Sequence, residues 1–493
     1  LSLVGSEMCI RDRIQHSDIY HRQSSYRPDE SIFQPHYLKI NSNRYQISTE
    51  LTPSRYGARF RLTNQREKPI SLILHSEANT TFRQVDANTL LGSLKEETKP
   101  AKQSLVMHVC LRFDQPIKKQ SFLDQDLVLD FEQGQLQFSL ATSFISEEQA
   151  LINLPQSSFD KIKEETKQDW EAFLHRFDIV DQGKIDRRMF DQALYRLFLF
   201  PQTFYELDAE SQEIHWDLTH QTVQPGKLFT NIGFWDVFRT SFPLLALMAP
   251  DTYHDFLEGF LNFYKETGFL PKWLAPDERG MMPGTLIDGV IADATAKNLI
   301  PDLEKDLFQA MLETAEQEDP SKRYGRQGAW DYQTLGYLPS DHHESVSHTL
   351  DYSYSDFCIA SLANKLQQKS VAQQYSQQSL NYQHLFDPET GYMRAKDRNG
   401  QFRPDFSPYT WGRDYAECSA IQNTLSVFHD IEGLKNLMGG KTAFTDYLTK
   451  LCQDQPSYDV TGYGYEIHEM SEMATAHFGQ LAISNQPSFH IPY

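Results

Sequence analysis

The residue pattern changes period at Ser146, and that change restricts the chain to folds with a β part followed by an α part. Before it, apolar residues alternate with polar ones. RYQISTEL alternates, and LVMHVCLRF places Leu105, Met107, Val109, Leu111 and Phe113 on one face. LVLDFEQGQLQFSL reads as a hairpin, Leu127, Leu129 and Phe131 pairing across Gly134 with Leu136, Phe138 and Leu140. Many short strands with polar turns predict an antiparallel β-sandwich over 14–145. At Ser146 the spacing becomes helical. Ser146 is an N-cap with acids in the following turn, and Phe159, Ile162, Trp170 and Phe173 share a helical stripe. Residues 146–185 are expected to be a helical linker, and 186–493 a catalytic domain of helices separated by aromatic loops. That alternation fits an (α/α)6 barrel whose loops gather at one mouth, incomplete at its C-terminal end.

Charge removes several functions. A net charge of −21 argues against nucleic acid and against an anionic membrane surface. No run approaches a membrane span. The five cysteines, at 9, 110, 358, 418 and 452, form no C-x-x-C pair and read as buried free thiols. A reducing, cytoplasmic compartment is expected, or secretion if a leader lies upstream. VGSEMCIRDR resembles a translated sequencing-adaptor scar, so residues 1–13 are set aside as non-native. SFHIPY stops without a closing element, and the chain reads as an internal fragment.

The stretch YTWGRDYAECSAIQNTLSVFHDIEGLKNLMGG carries the densest chemistry. Glu417 sits among Trp411, Tyr415 and Cys418, which would desolvate it and raise its pKa toward that of a general acid. The alternative is a solvated helix glutamate. Asp236 accepts sugar hydroxyls in one reading and pairs with Arg239 at i,i+3 in the other. Trp273 is a stacking platform in the first reading, and Asp293 is read as structural. His342, His343 and Glu344 lack the H-E-x-x-H spacing of a metal helix, and Ser345 reads as the cap of the helix that follows. No Walker loop, Rossmann fingerprint, G-x-S-x-G elbow or zinc spacing is present.

Several blocks in order resemble glycoside hydrolase family 92, the calcium-dependent inverting α-mannosidases. They are FWDVFRT, LPKWLAPDERG with VIADA, SVSHTLDYSYSDFCIA, the Glu417 segment and SNQPSFHIPY. The resemblance implies Glu417 as general acid, and Trp235, Asp236, Arg239, Trp273, Glu278, Trp411 and His490 around a mannose. It implies Ca²⁺ near Asn485 and Gln486, and a mannose-containing oligosaccharide of N-glycan type as substrate, α1,2-linked first. The sequence departs from the family at Gln486, where a Glu is usual, at Phe489 for the first His, and at Ile483 and Ser484 for a His-Glu pair. The segment expected to carry the base lies past Tyr493. A non-catalytic glycan-binding protein and another (α/α)6 glycosidase or lyase are the alternatives.

Overall fold

The computed structural model describes residues 8–9, 19–75, 79–97, 104–124, 126–177, 179, 183 and 186–493. The chain divides into two compact units between Lys227 and Leu228.

The first unit is built on two antiparallel sheets. One runs Ile32–Gln34, Tyr37–Ser42, Ile47–Ser54, Gly57–Asn64, Gln135–Ser143, Ser104–Phe113, Thr89–Glu97 and Asn79–Gln84 in neighbour order. The other runs Met8–Cys9, Ser71–Leu74, Asp126–Asp130 and Lys119–Leu123. Met8 and Cys9 therefore pair with Leu72 and Ser71, inside the stretch that the sequence reading set aside. Inward side chains of both sheets form one core, with Leu62, Val109, Leu111 and Phe138 from the first and Leu72, Leu127 and Leu129 from the second. Phe60 and Phe138 lie opposite in register and stack with centroids 4.6 Å apart.

The expected hairpin across Gly134 is not formed. Asp126–Asp130 pairs with Ser71–Leu74, whereas Gln135–Ser143 pairs with Gly57–Asn64 and Ser104–Phe113. Alternation marks both strands, but the turn carries the chain from one sheet to the other. Both faces of Ser104–Phe113 are used, because Cys110 packs against Ala150 and Leu154 on the outer side.

Ser146 caps Glu147–Ile152 by accepting from Gln149 N at 3.0 Å. Helices Phe159–Leu174 and Arg187–Leu197 follow. Sequence periodicity makes nearly every element from Asp186 onward helical. The structure instead folds Tyr205–Leu207, Glu213–Asp217 and Thr222–Pro225 into a small antiparallel sheet within this unit. These strands are too short for a periodicity argument to separate from loops.

The second unit is mainly helical. Ser345–Lys365 is buried on nearly every side, against Ile287–Ala296 and Lys369–Gln378. Its first residue is not a cap: Glu344 holds that position with φ 54°, and Ser345 Oγ has no hydrogen-bond partner among the described residues. The stretch WDVFRTSFPLLALM is split between two helices, Phe234–Val237 and Ser241–Met248, and Arg239 lies between them. Cys110, Cys358 and Cys418 are buried free thiols, but Cys452 is exposed. No described helix is long and apolar enough to cross a membrane.

Candidate active site

Glu417 lies in a turn, not on a helix face. Thr410–Gly412 ends in a parallel pairing with Asp459–Gly462, and Ser419 starts Ala420–Asn423 with a capping box to Gln422. Between them Arg413 and Glu417 both hold left-handed backbone, at φ 60° and 49°. Such conformations cost roughly 1 kcal/mol or more each for these residue types and persist where neighbours over-determine them. Here Glu417 N–H donates to Tyr463 Oη at 2.8 Å, and Asn485 Nδ2 donates to Glu417 O at 2.9 Å and to its Oε2 at 3.2 Å. Burial pushes the Glu417 carboxyl up to about 7. The Asn485 hydrogen bond opposes that shift, and the charges of Glu469, Asp236 and Glu344 add to it. Glu417 therefore holds its proton well above the ordinary carboxyl range, up to about pH 7, as a general acid requires.

Asp236 is held from two sides. Trp273 Nε1 donates to its Oδ2 at 3.1 Å and Gln486 Nε2 to its Oδ1 at 2.7 Å. Both oxygens keep a lone pair for a ligand hydroxyl. Burial raises its pKa against these two hydrogen bonds. The i,i+3 pair with Arg239 is not made. Arg239 instead donates to Gln486 O at 2.6 Å and His490 Nδ1 at 3.0 Å, with its guanidinium over Phe428. Gly233 is the position that permits the Trp273–Asp236 contact, since a Cβ there would collide with Asp236 Oδ2 and Trp273 Nε1. Trp235 is buried beside them.

Two further carboxyls were not singled out as site residues in the sequence. Glu344, in left-handed backbone, is pushed up to about 7 by burial. Asp351, two helical turns on, is pushed up to about 7 by burial and by Glu344, against the attraction of Arg239. Asp351 Oδ2 is buried with no hydrogen-bond partner among the described residues. Their i,i+7 spacing on one helix face was the available signal. What brings Glu344 beside Glu417 is long-range, since Glu344 N–H donates to Arg413 O at 2.8 Å.

Several expected ligands take other roles. Glu278 is fully buried and accepts from the main-chain N–H groups of Lys272, Trp273 and Gly280, so it orders this loop and offers nothing to a sugar. Trp411 is entirely buried with Met470, Met473 and Ala482, so it presents no stacking face. His490 donates through Nε2 to Leu425 O at 2.8 Å while Nδ1 accepts from Arg239, which makes it a strut rather than a sugar ligand. Asp293 pairs with Lys297 on its own helix, in line with a structural role.

Asn485 and Gln486 by themselves do not make a calcium cage. Ca²⁺ takes about six to eight oxygen ligands. Asn485 Oδ1 already accepts from Gln486 N at 2.9 Å, and Gln486 adds a single side-chain oxygen. Among the described residues, His254, Asp255 and Glu258 do form a compact His/acid group, but His254 already bonds Asp302.

A curated relative, described as an uncharacterized secreted glycosidase of Arthroderma benhamiae, is 28% identical over 352 residues, covering 62% of this chain and 41% of its own length. A solved family GH92 inverting mannosidase from Bacteroides thetaiotaomicron superposes with a TM-score of 0.86 at 27% identity, over 96% of this chain and 67% of that one. A second family GH92 α-mannosidase from the same organism gives 0.80 at 22% identity, over 95% and 64%. The chain thus spans less than half of the curated relative. The fold class expected from the sequence, an antiparallel β-sandwich followed by a helical barrel, is the fold of these structures. Residues 145–493 match the profile of the glycosyl hydrolase family 92 catalytic domain, and the chain belongs to that family.

Proposed function

We propose that this chain forms the acid and sugar-binding half of an exo-α-mannosidase that releases terminal mannose with inversion. The observation that carries this reading is the pairing of Glu417, protonated up to about pH 7, with Asp236 held by two donors. Glycosidic cleavage needs a carboxylic acid to protonate the leaving oxygen, and a rigid acceptor to fix the hydroxyls of the sugar. Glu417 supplies the proton, and Asn485 aims its carboxyl by bonding Oε2. Asp236 binds hydroxyls, and Trp273 and Gln486 hold it in place. Arg239 sets positive charge against Asp351 while the main chain at Gln486 anchors it.

Inversion is supported by the inverting mannosidase among the relatives. It requires a second carboxylate to activate water on the opposite face. None of the described carboxylates is assigned that role. Calcium enters only as an implication of family membership, and no step is assigned to it. Mannose-containing oligosaccharides of N-glycan type, α1,2-linked first, are the proposed substrates.

The test is release of free mannose from α1,2-mannobiose, with α1,3-mannobiose and a mannosyl phosphodiester in parallel, by the natural gene product and its Glu417→Gln variant. Release abolished by the variant supports the reading. Folded protein that binds mannobiose and releases nothing favours a glycan-binding protein instead.

A further inference from the structure

A second cavity, of about 440 Å³, lies where Glu304–Glu316, Ala329–Leu335 and Lys369–Gln378 come together. None of its lining residues belongs to the Glu417 cluster. Trp330 borders it and is 68% exposed, so its ring is open to a ligand at the rim. Gln333 lies one turn from Trp330 on the same helix side, and Gln374 and Gln378 are spaced one turn apart on the facing helix. The inner wall holds Arg326, only 2% exposed. Its Nη1 donates to Asp356 Oδ1 at 2.7 Å, while Nε and Nη2 have no hydrogen-bond partner among the described residues. Tyr375 Oη donates to Glu316 Oε1 at 3.2 Å, which leaves the other carboxylate oxygen open on the same wall.

The donor set selects the ligand. An anion is disfavoured, because Asp356 already offsets Arg326 and Glu316 adds negative charge. An apolar ligand would strand three carboxamides and a guanidinium. A neutral polyhydroxyl ring satisfies both ends. Its hydroxyls accept from the glutamine amides and donate to Glu316, and its C–H face rests on the indole. The volume suits one or two hexose units. We propose that this cavity is a second carbohydrate site that binds a neutral pyranose unit of a glycan, separate from the Glu417 centre. It holds whether or not the chain hydrolyses mannosides.

The test uses protein labelled with 5-fluorotryptophan, the Trp330 resonance being assigned by its loss in Trp330→Phe. Titration with α1,2-mannobiose and with maltose is expected to shift that resonance saturably in the millimolar range. The shift should persist in Asp236→Asn. The double variant Gln374→Ala/Gln378→Ala should weaken binding by about tenfold while leaving the melting temperature unchanged. A shift with inorganic phosphate and not with either saccharide overturns the proposal. So does no shift with any of the three, or a shift that the double variant leaves unaltered.

Discussion

Replacing Glu417 with Gln removes a buried proton switch and leaves the side-chain shape intact. The wild-type carboxyl sits at about 7 against an ordinary value of 4.5. The folded protein thus binds this proton more tightly than the unfolded chain does. Its contribution to stability is fully present below the ordinary carboxyl value and is lost as pH rises through about 7. Linkage over that shift gives about 2.5 kcal/mol between about pH 5 and about pH 8, and about half of that with partial exposure and salt. The amide variant has no such term. Glu344 and Asp236 titrate in both proteins, so they largely cancel in the difference. Scanning calorimetry of both proteins across this range should show Glu417→Gln gaining roughly 3–8 °C on wild type from the acid to the alkaline end. Only the transition of the unit containing Leu228–Tyr493 should move. Parallel curves would mean that Glu417 titrates normally, and the assignment of the acid would lose its physical basis.

Three other outcomes follow from the same geometry. Gly233→Ala should part Trp273 from Asp236 and weaken mannose binding by about tenfold, read by calorimetric titration, with an overpacking loss of about 1–3 kcal/mol in stability; unchanged binding would remove Asp236 from the sugar grip. Gln486→Glu sets a carboxylate against Asp236 Oδ1 in place of a donor 2.7 Å away, so one of the two must hold a proton. The loss of stability should be about 1.5–3 kcal/mol at alkaline pH and smaller near pH 5, and an equal loss at both would contradict this account. Millimolar Ca²⁺ or EGTA should leave the melting temperature of this chain unchanged, since two amide side chains fall short of the about six to eight oxygens the ion takes; a rise with Ca²⁺ would show an oxygen cage that these contacts do not reveal.

What could be read in advance depended on how local its cause was. Ser146 and its acidic first turn describe a cap that needs only neighbours in sequence, and the structure contains it. The helices Ile287–Ala296 and Ser345–Lys365 likewise follow from short-range pattern. Trp411 shows the opposite case. Its local company of acids and amides looks like a sugar site, but Met470, Met473 and Ala482 arrive from far along the chain and bury it. Glu278 was read as a ligand, and only the fold of its loop turns three N–H groups onto its carboxylate. The strands flanking Gly134 alternate as a hairpin does, and nothing in that period tells which sheet each joins.

The six residues Asn485–His490 touch both halves of the candidate centre: Asn485 holds Glu417, Gln486 holds Asp236 and Arg239, and His490 braces Arg239. Burial and the nearby Arg239 lower the His490 pKa to about 4, so its acceptor nitrogen stays available to that arginine at any pH where the acid works. The proposed proton donor and the proposed sugar cradle therefore share one hinge pin. Anything that loosens this span should degrade affinity and proton transfer together, and selection at any one of these residues acts on both.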